Sequence, residues 1–196
     1  MTEAILGEDG VKDAVAGKAV ISIMGGILPS KIDEIIYKDS HHSQKASIIR
    51  AMPNLGAQVG ASMTIIEDNP SLSAEHHAAV MWIFESIGAV KFLDAKVFDA
   101  GTLLAGSSMA LFSLALDGIL DGCVMKGLRR SEAMEMAIQS IHGMTELFHK
   151  EHPALLRESI SSPGGSTISS LQTLEVAGVR WSFARAMVDG IDHLQN

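Results

Sequence analysis

The stretch GTLLAGSSMALFSLALDGILDGCVM, residues Gly101 to Met125, decides the fold. It is too long for a strand, and its charged residues, Asp117 and Asp121, are too few to form a polar face. A surface helix carries one apolar stripe, whereas a helix apolar on every side must be covered all round, so the pattern predicts a buried helix. The helices of one small chain supply little such cover. A second copy of the chain is therefore expected against it, in keeping with the prevalence of closed symmetric oligomers. The longest uncharged run, Ala100 to Leu116, falls short of the ~20 residues of a membrane-spanning helix, and no membrane partner is expected.

Downstream of this stretch every segment reads as helix. Residues 131–150 put Met134, Ala137, Ile138, Ile141, Thr145 and Phe148 at helical spacing, with polar residues between them. Pro153 opens a short helix to Ser159, and helices over 166–176 and 179–194 are separated by Gly178. Upstream the pattern alternates. Lys18 to Met24 (KAVISIM) reads as a strand ended by Gly25 and Gly26, and Pro29 to Tyr37 as a helix with proline in its first turn. Ser47–Ala51 and Ser62–Ile66 read as strands around the turn MPNLG, and Ser73–Ile87 as a helix behind a serine cap. The change from α/β to all-helix falls near Lys96 to Gly101.

Composition narrows the function. The chain is 47% hydrophobic with 5% aromatic residues, which suits a helix-rich core filled by alanine, leucine and 11 methionines. A formal net charge of −8, with 15 basic residues scattered along the chain, argues against a nucleic-acid surface, which needs clustered cations to neutralise phosphates. Cys123 is the single cysteine, so no intrachain disulfide forms and a reducing, cytoplasmic setting is expected. Residues 1–10 lack the basic and then apolar pattern of a signal or transit peptide.

The stretch richest in chemistry is SSPGGSTI, Ser161 to Ile168. Pro163 fixes one φ angle, Gly164 and Gly165 permit positive φ, and a helix follows, so backbone N–H groups converge on an anion. Ser162, Ser166 and Thr167 add hydroxyl groups. The same residues also fit an ordinary helix start capped by Ser166. Asp117 and Asp121, four apart on the apolar helix, are candidates for proton transfer if burial raises their pKa, or for pairing with Arg129, Arg130, Arg180 or Arg185. His142, Glu146 and His149 share a helical face but continue its polar stripe, and no metal is expected. The adjacent pairs His41-His42 and His76-His77 read as solvated.

IIRAMPN (Ile48–Asn54) with Val59-Gly60, the run Leu103 to Leu128, and EHPALLRESISSPGGSTISSLQTLE (Glu151–Glu175) together resemble pyrroline-5-carboxylate reductases, especially fungal ones, from about Val11 to the last helix. The resemblance implies a mainly α fold: a truncated Rossmann-like α/β portion over residues 1–97, then an all-helical dimerisation and substrate-pocket domain over 98–196. It implies that the amides of Gly164, Gly165 and Ser166 hold a substrate carboxylate and that the Thr167 hydroxyl meets the ring nitrogen of an imine. It places Asn54 near a cofactor, and Ala105–Ala110 along the pocket. Two departures stand out. The family's Gly-rich dinucleotide fingerprint has no counterpart here, the chain starting within the later part of that domain. Where the family has Gly-Ser-Gly-Pro-Ala, this chain has Gly106-Ser107-Ser108-Met109-Ala110.

These departures favour, at this level, a homodimeric enzyme without a cofactor: a cyclase or isomerase of a small metabolite. Its catalytic groups would be Thr167, Ser107, Ser108, Asp117 and Asp121, with Ser162, Gly164, Gly165, Ser166, Met109 and Asn54 binding substrate. The alternatives are an NADPH-dependent reductase of pyrroline-5-carboxylate or another cyclic imine, and a non-catalytic partner of a full-length reductase.

Overall fold

A computed structural model describes residues 2–38 and 44–195. They divide into two compact units, residues 2–108 with 187–195, and residues 109–186. The division falls later than the expected 97/98 boundary, and the C-terminus returns to the first unit.

The first unit holds helices α1 (Thr2–Leu6), α2 (Val11–Ala14), α3 (Pro29–Tyr37), α4 (Ala74–Glu85) and α5 (Ala95–Thr102). Its strands are β1 (Ala19–Ser22), β2 (Ser47–Met52), β3 (Ser62–Glu67) and β4 (Gly88–Leu93), forming one sheet in the order β1-β2-β3-β4. β1 and β2 are parallel, β2 and β3 antiparallel, β3 and β4 parallel. Each parallel pair needs a crossover longer than a hairpin, and α3 and α4 occupy these two connections. β2 carries the core on both faces, since successive side chains alternate. Ile49 and Ala51 pack with Ile66, Val80 and Phe84, while Ile48 joins Ile32, Ile36 and Tyr37. The Tyr37 hydroxyl accepts from the Ala46 N–H at 2.7 Å, so the buried phenol is satisfied. β4 was not anticipated from the sequence, nor was α1.

Between α5 and α6 (Ser108–Met125) the helical run widens into one π turn, Leu103–Ser107, closed by the Ser108 N–H donating to the Leu103 carbonyl. The second unit continues with α7 (Arg130–Phe148), α8 (Pro153–Ser159) and α9 (Ser166–Val176), and α10 (Val179–Gln195) comes last. Within the single chain this central helix is left largely uncovered. The most apolar window of the run Ala95–Met125 has a mean hydropathy of 1.7 but is only 17% buried, and Phe112, Leu114 and Ile119 are more than 60% exposed. By length and composition alone this run could cross a membrane, although its longest uncharged stretch seemed too short for that. α6 and α7 line an apolar groove with Phe112, Ile119, Met136, Ile141, Met144 and Phe148.

Candidate functional site

In the first unit the chemistry gathers where strands end. β1 and β2 run parallel, so their carboxyl ends lie side by side. The turns after them adjoin: a Cβ added to Gly25 would lie 3.8 Å from Met52 Cε. Asn54 ends the second turn. Its Oδ1 accepts from the Gly56 N–H at 2.9 Å, its Nδ2 donates to the Ala105 carbonyl at 2.8 Å, and its own N–H donates to Ser62 Oγ at 3.1 Å. The side chain is therefore engaged at both ends within this unit.

Ser107 is exposed and Ser108 is buried, its hydroxyl turned back to donate to the Leu104 carbonyl. Met109 is 43% exposed. Beneath this segment lies a charged group that the sequence pattern did not bring forward. Arg50, 3% exposed, pairs with Asp99 at 2.9 Å and lies 3.6 Å from Glu67, its guanidinium 4.3 Å from the centre of the Phe98 ring. The signal was present in IIRAM: an arginine inside a strand that is otherwise apolar needs a partner when buried.

In the second unit, Ser162–Gly165 closes as a turn, with the Gly165 N–H donating to the Ser162 carbonyl at 3.0 Å. Gly164 has φ +67°, a conformation that L side chains rarely adopt. Gly165, not Ser166, precedes α9, and no side chain caps that helix. The reading of Ser166 as a cap is thus corrected. The first amides of an uncapped helix are free to meet an anion. Ser162 Oγ sits where a Cβ on Gly165 would stand, 2.5 Å away, so only glycine fits there without moving the serine. Thr167 is half-buried one residue into α9, whereas Ser162 and Ser166, at the turn, are both exposed.

Asp117 and Asp121 do not sit in a buried environment. They are 69% and 58% exposed and both pair with Arg130, because α6 is covered on only part of its surface. The histidine readings change as well. His76 Nδ1 lies 3.2 Å from Ser47 Oγ and His77 stacks on Phe92 at 5.1 Å, so neither is merely solvated. His41 and His42 lie outside the described residues. Among the described residues no cluster of His, Cys, Asp and Glu is arranged to hold a metal ion.

The model of the pyrroline-5-carboxylate reductase dimerisation family matches residues 95–196. Pyrroline-5-carboxylate reductases of Lophium arboricola and Neurospora crassa are 43% and 37% identical to the chain over 95% of it. The chain spans 60% of the length of each. A crystal structure of Plasmodium falciparum pyrroline carboxylate reductase with NADP bound superposes with a TM-score of 0.87 at 26% identity, covering 98% of this chain and 75% of that one. These relatives overturn the expectation that no cofactor is involved, since they are named as reductases and one is solved with NADP bound. They likewise give no support to a cyclase or isomerase. From α5 through α10 the chain carries the family's dimerisation region, and it belongs to the pyrroline-5-carboxylate reductase family.

Proposed function

We propose that the protein is an NAD(P)H-dependent reductase of pyrroline-5-carboxylate, working as a homodimer. The observation that carries this reading is the uncapped start of α9 behind the Gly164–Gly165 turn, in a chain whose relatives are named for this reaction. A carboxylate suits that turn, because backbone N–H groups and the positive end of the helix dipole favour an anion there. Thr167 then offers a hydroxyl one residue beyond, able to donate to an imine nitrogen or accept from its protonated form. Ser107, exposed on the π turn, is a further hydroxyl of the first unit proposed to face a ligand.

The residues present fit part of a dinucleotide site. The adjoining turns after β1 and β2 expose glycine and proline backbone at the carboxyl ends of parallel strands, where open α/β sheets bind such ligands. The spacing G-x-G-x-x-G occurs nowhere in the 196 residues, so a pyrophosphate cradle of that form is not among them. When bound, NADPH supplies the hydride that reduces the imine carbon, while a proton reaches the ring nitrogen. The chain's own part is to orient the ring by its carboxylate at 164–166 and by its nitrogen at Thr167.

The exposed apolar faces of α6 and α7 are the surfaces assigned to the second subunit, since a soluble monomer rarely leaves so much contiguous apolar area open. The test uses the full-length polypeptide carrying this chain. NADPH absorbance should fall on addition of pyrroline-5-carboxylate, with proline as product. Thr167→Val should lower kcat by about 100-fold, the size of a lost proton-handling group. No consumption of NADPH by the unaltered protein refutes the proposal.

A further inference from the structure

We infer that Asn54 is a positioning residue that holds the π turn Leu103–Ser107 in shape, and through it the exposed Ser107; the inference rests on the reductase reading for its kinetic consequence alone. A π turn spends one more residue than an α turn for each hydrogen bond, so neighbouring carbonyls lose their regular helical donors. In this turn two carbonyls accept from side chains. The Leu104 carbonyl accepts from the Ser108 hydroxyl, and the Ala105 carbonyl from Asn54 Nδ2 at 2.8 Å. The first donor is local. The second comes from 51 residues away, just beyond the end of β2.

The geometry leaves one orientation for the Asn54 amide. Its other end faces the Gly56 N–H, which can only donate, and the Ala105 carbonyl can only accept. Oδ1 therefore fixes the side chain to its own turn, while Nδ2 reaches the helix. A further bond, from the Asn54 N–H to Ser62 Oγ, ties the same residue to β3, and that hydroxyl lies 3.3 Å from Thr64 Oγ1. Asn54 is thus anchored at two points to the sheet side and grips the widened turn with the third. The extra residue matters, because removing one residue from a helical ladder rotates the downstream residues by about 100° and shifts them by ~1.5 Å. A turn that relaxed to regular α-helix would carry Ser107 off its present face.

The substitution Asn54→Asp separates the two ends of the amide. It keeps the acceptor for Gly56 and replaces the donor to Ala105 with an oxygen that repels the carbonyl. Two readouts are made on the full-length polypeptide. Hydrogen exchange over residues 103–112 should accelerate by about tenfold in Asn54→Asp, as expected for one lost hydrogen bond, with exchange in β1 and α3 unchanged. In steady state, KM for pyrroline-5-carboxylate should rise about tenfold or more. Ser62→Ala, which cuts the bond to the Asn54 backbone and the contact with Thr64 Oγ1 but leaves both ends of the Asn54 side chain engaged, should leave exchange over 103–112 unchanged. Asn54→Ser, smaller and neutral, gives the same expected result and serves if the aspartate variant does not fold.

Unchanged exchange at 103–112 in a folded Asn54 variant overturns the clamp, whatever the activity. Accelerated exchange with an unchanged KM for the imine overturns the positioning role. An unaltered protein that fails to reduce pyrroline-5-carboxylate refutes the reductase reading instead, and the exchange data still decide the clamp.

Discussion

Asp99→Ala is the sharpest test of how the first unit is held together. Arg50 is almost wholly buried on β2, so its charge must be met by groups within the protein. Two carboxylates are available, and distance separates them. Asp99 Oδ1 accepts from Nη2 at 2.9 Å, whereas Glu67 Oε2 stands 3.6 Å from Nη1, beyond hydrogen-bond range. A charge-assisted hydrogen bond is worth about 1.5–3 kcal/mol, and stranding part of a buried charge adds to its loss. Alanine returns roughly 0.5 kcal/mol through its helix propensity in α5. The net cost of Asp99→Ala is therefore about 2–4 kcal/mol. Glu67→Gln should cost less than Asp99→Ala, because it keeps the size of the side chain and removes only a contact beyond hydrogen-bond range. Urea titration followed by circular dichroism measures both variants against the unaltered chain. Equal costs for the two, or a change below about 0.5 kcal/mol for Asp99→Ala, would refute the assignment of Asp99 as the principal partner.

Other expectations rest on single contacts. Gly88→Ala should destabilise the chain by roughly 3 kcal/mol or more, because its φ is +151° and a Cβ would stand 2.1 Å from the Ser62 carbonyl oxygen; thermal unfolding reads the change directly. Phe112→Glu, on the exposed face of α6, should weaken self-association by about 100-fold in sedimentation equilibrium if this groove is the subunit contact, and dimers of unchanged affinity would move the contact elsewhere. The Glu175 carboxyl is held below its usual value by the hydrogen bond from Arg180. A depressed carboxylate contributes above its unfolded pKa and loses that contribution as pH falls through the folded one, so Arg180→Met should bring the Glu175 titration seen by NMR back toward 4.5 and lower stability slightly near neutral pH, the difference fading in acid.

Punctuation residues made much of the fold legible. α3, α8 and α9 begin and end where proline, glycine and apolar spacing put them, because each of those signals acts within a few residues. β4 was missed because GAVKFL comes directly after the apolar pattern of α4, and its identity as a strand depends on pairing with β3. The π turn has no local signature. It exists through a donor distant in sequence, so only the assembled structure reveals it. The turn at Ser162–Gly165 was readable, since glycine and proline dictate it, but which residue precedes the helix was not. The proposed acids Asp117 and Asp121 failed on environment: a sequence states that a helix is apolar, not which part of it one chain covers.

The antiparallel pairing of β2 with β3, the one such pairing among the described residues, bears on the order in which the sheet assembles. The residues it joins, 51–52 and 65–66, are separated by residues 53–64, whereas each parallel pairing must wait for an intervening helix. Closing a short loop sacrifices less chain entropy than closing a long one, so this pair is the cheapest nucleus available to the sheet. Ile49, Ala51 and Ile66, core residues of these two strands, would then be in place before α4 arrives to cover them. On this view MPNLG is a folding element first, and the asparagine that later grips the helix is delivered already set in its turn.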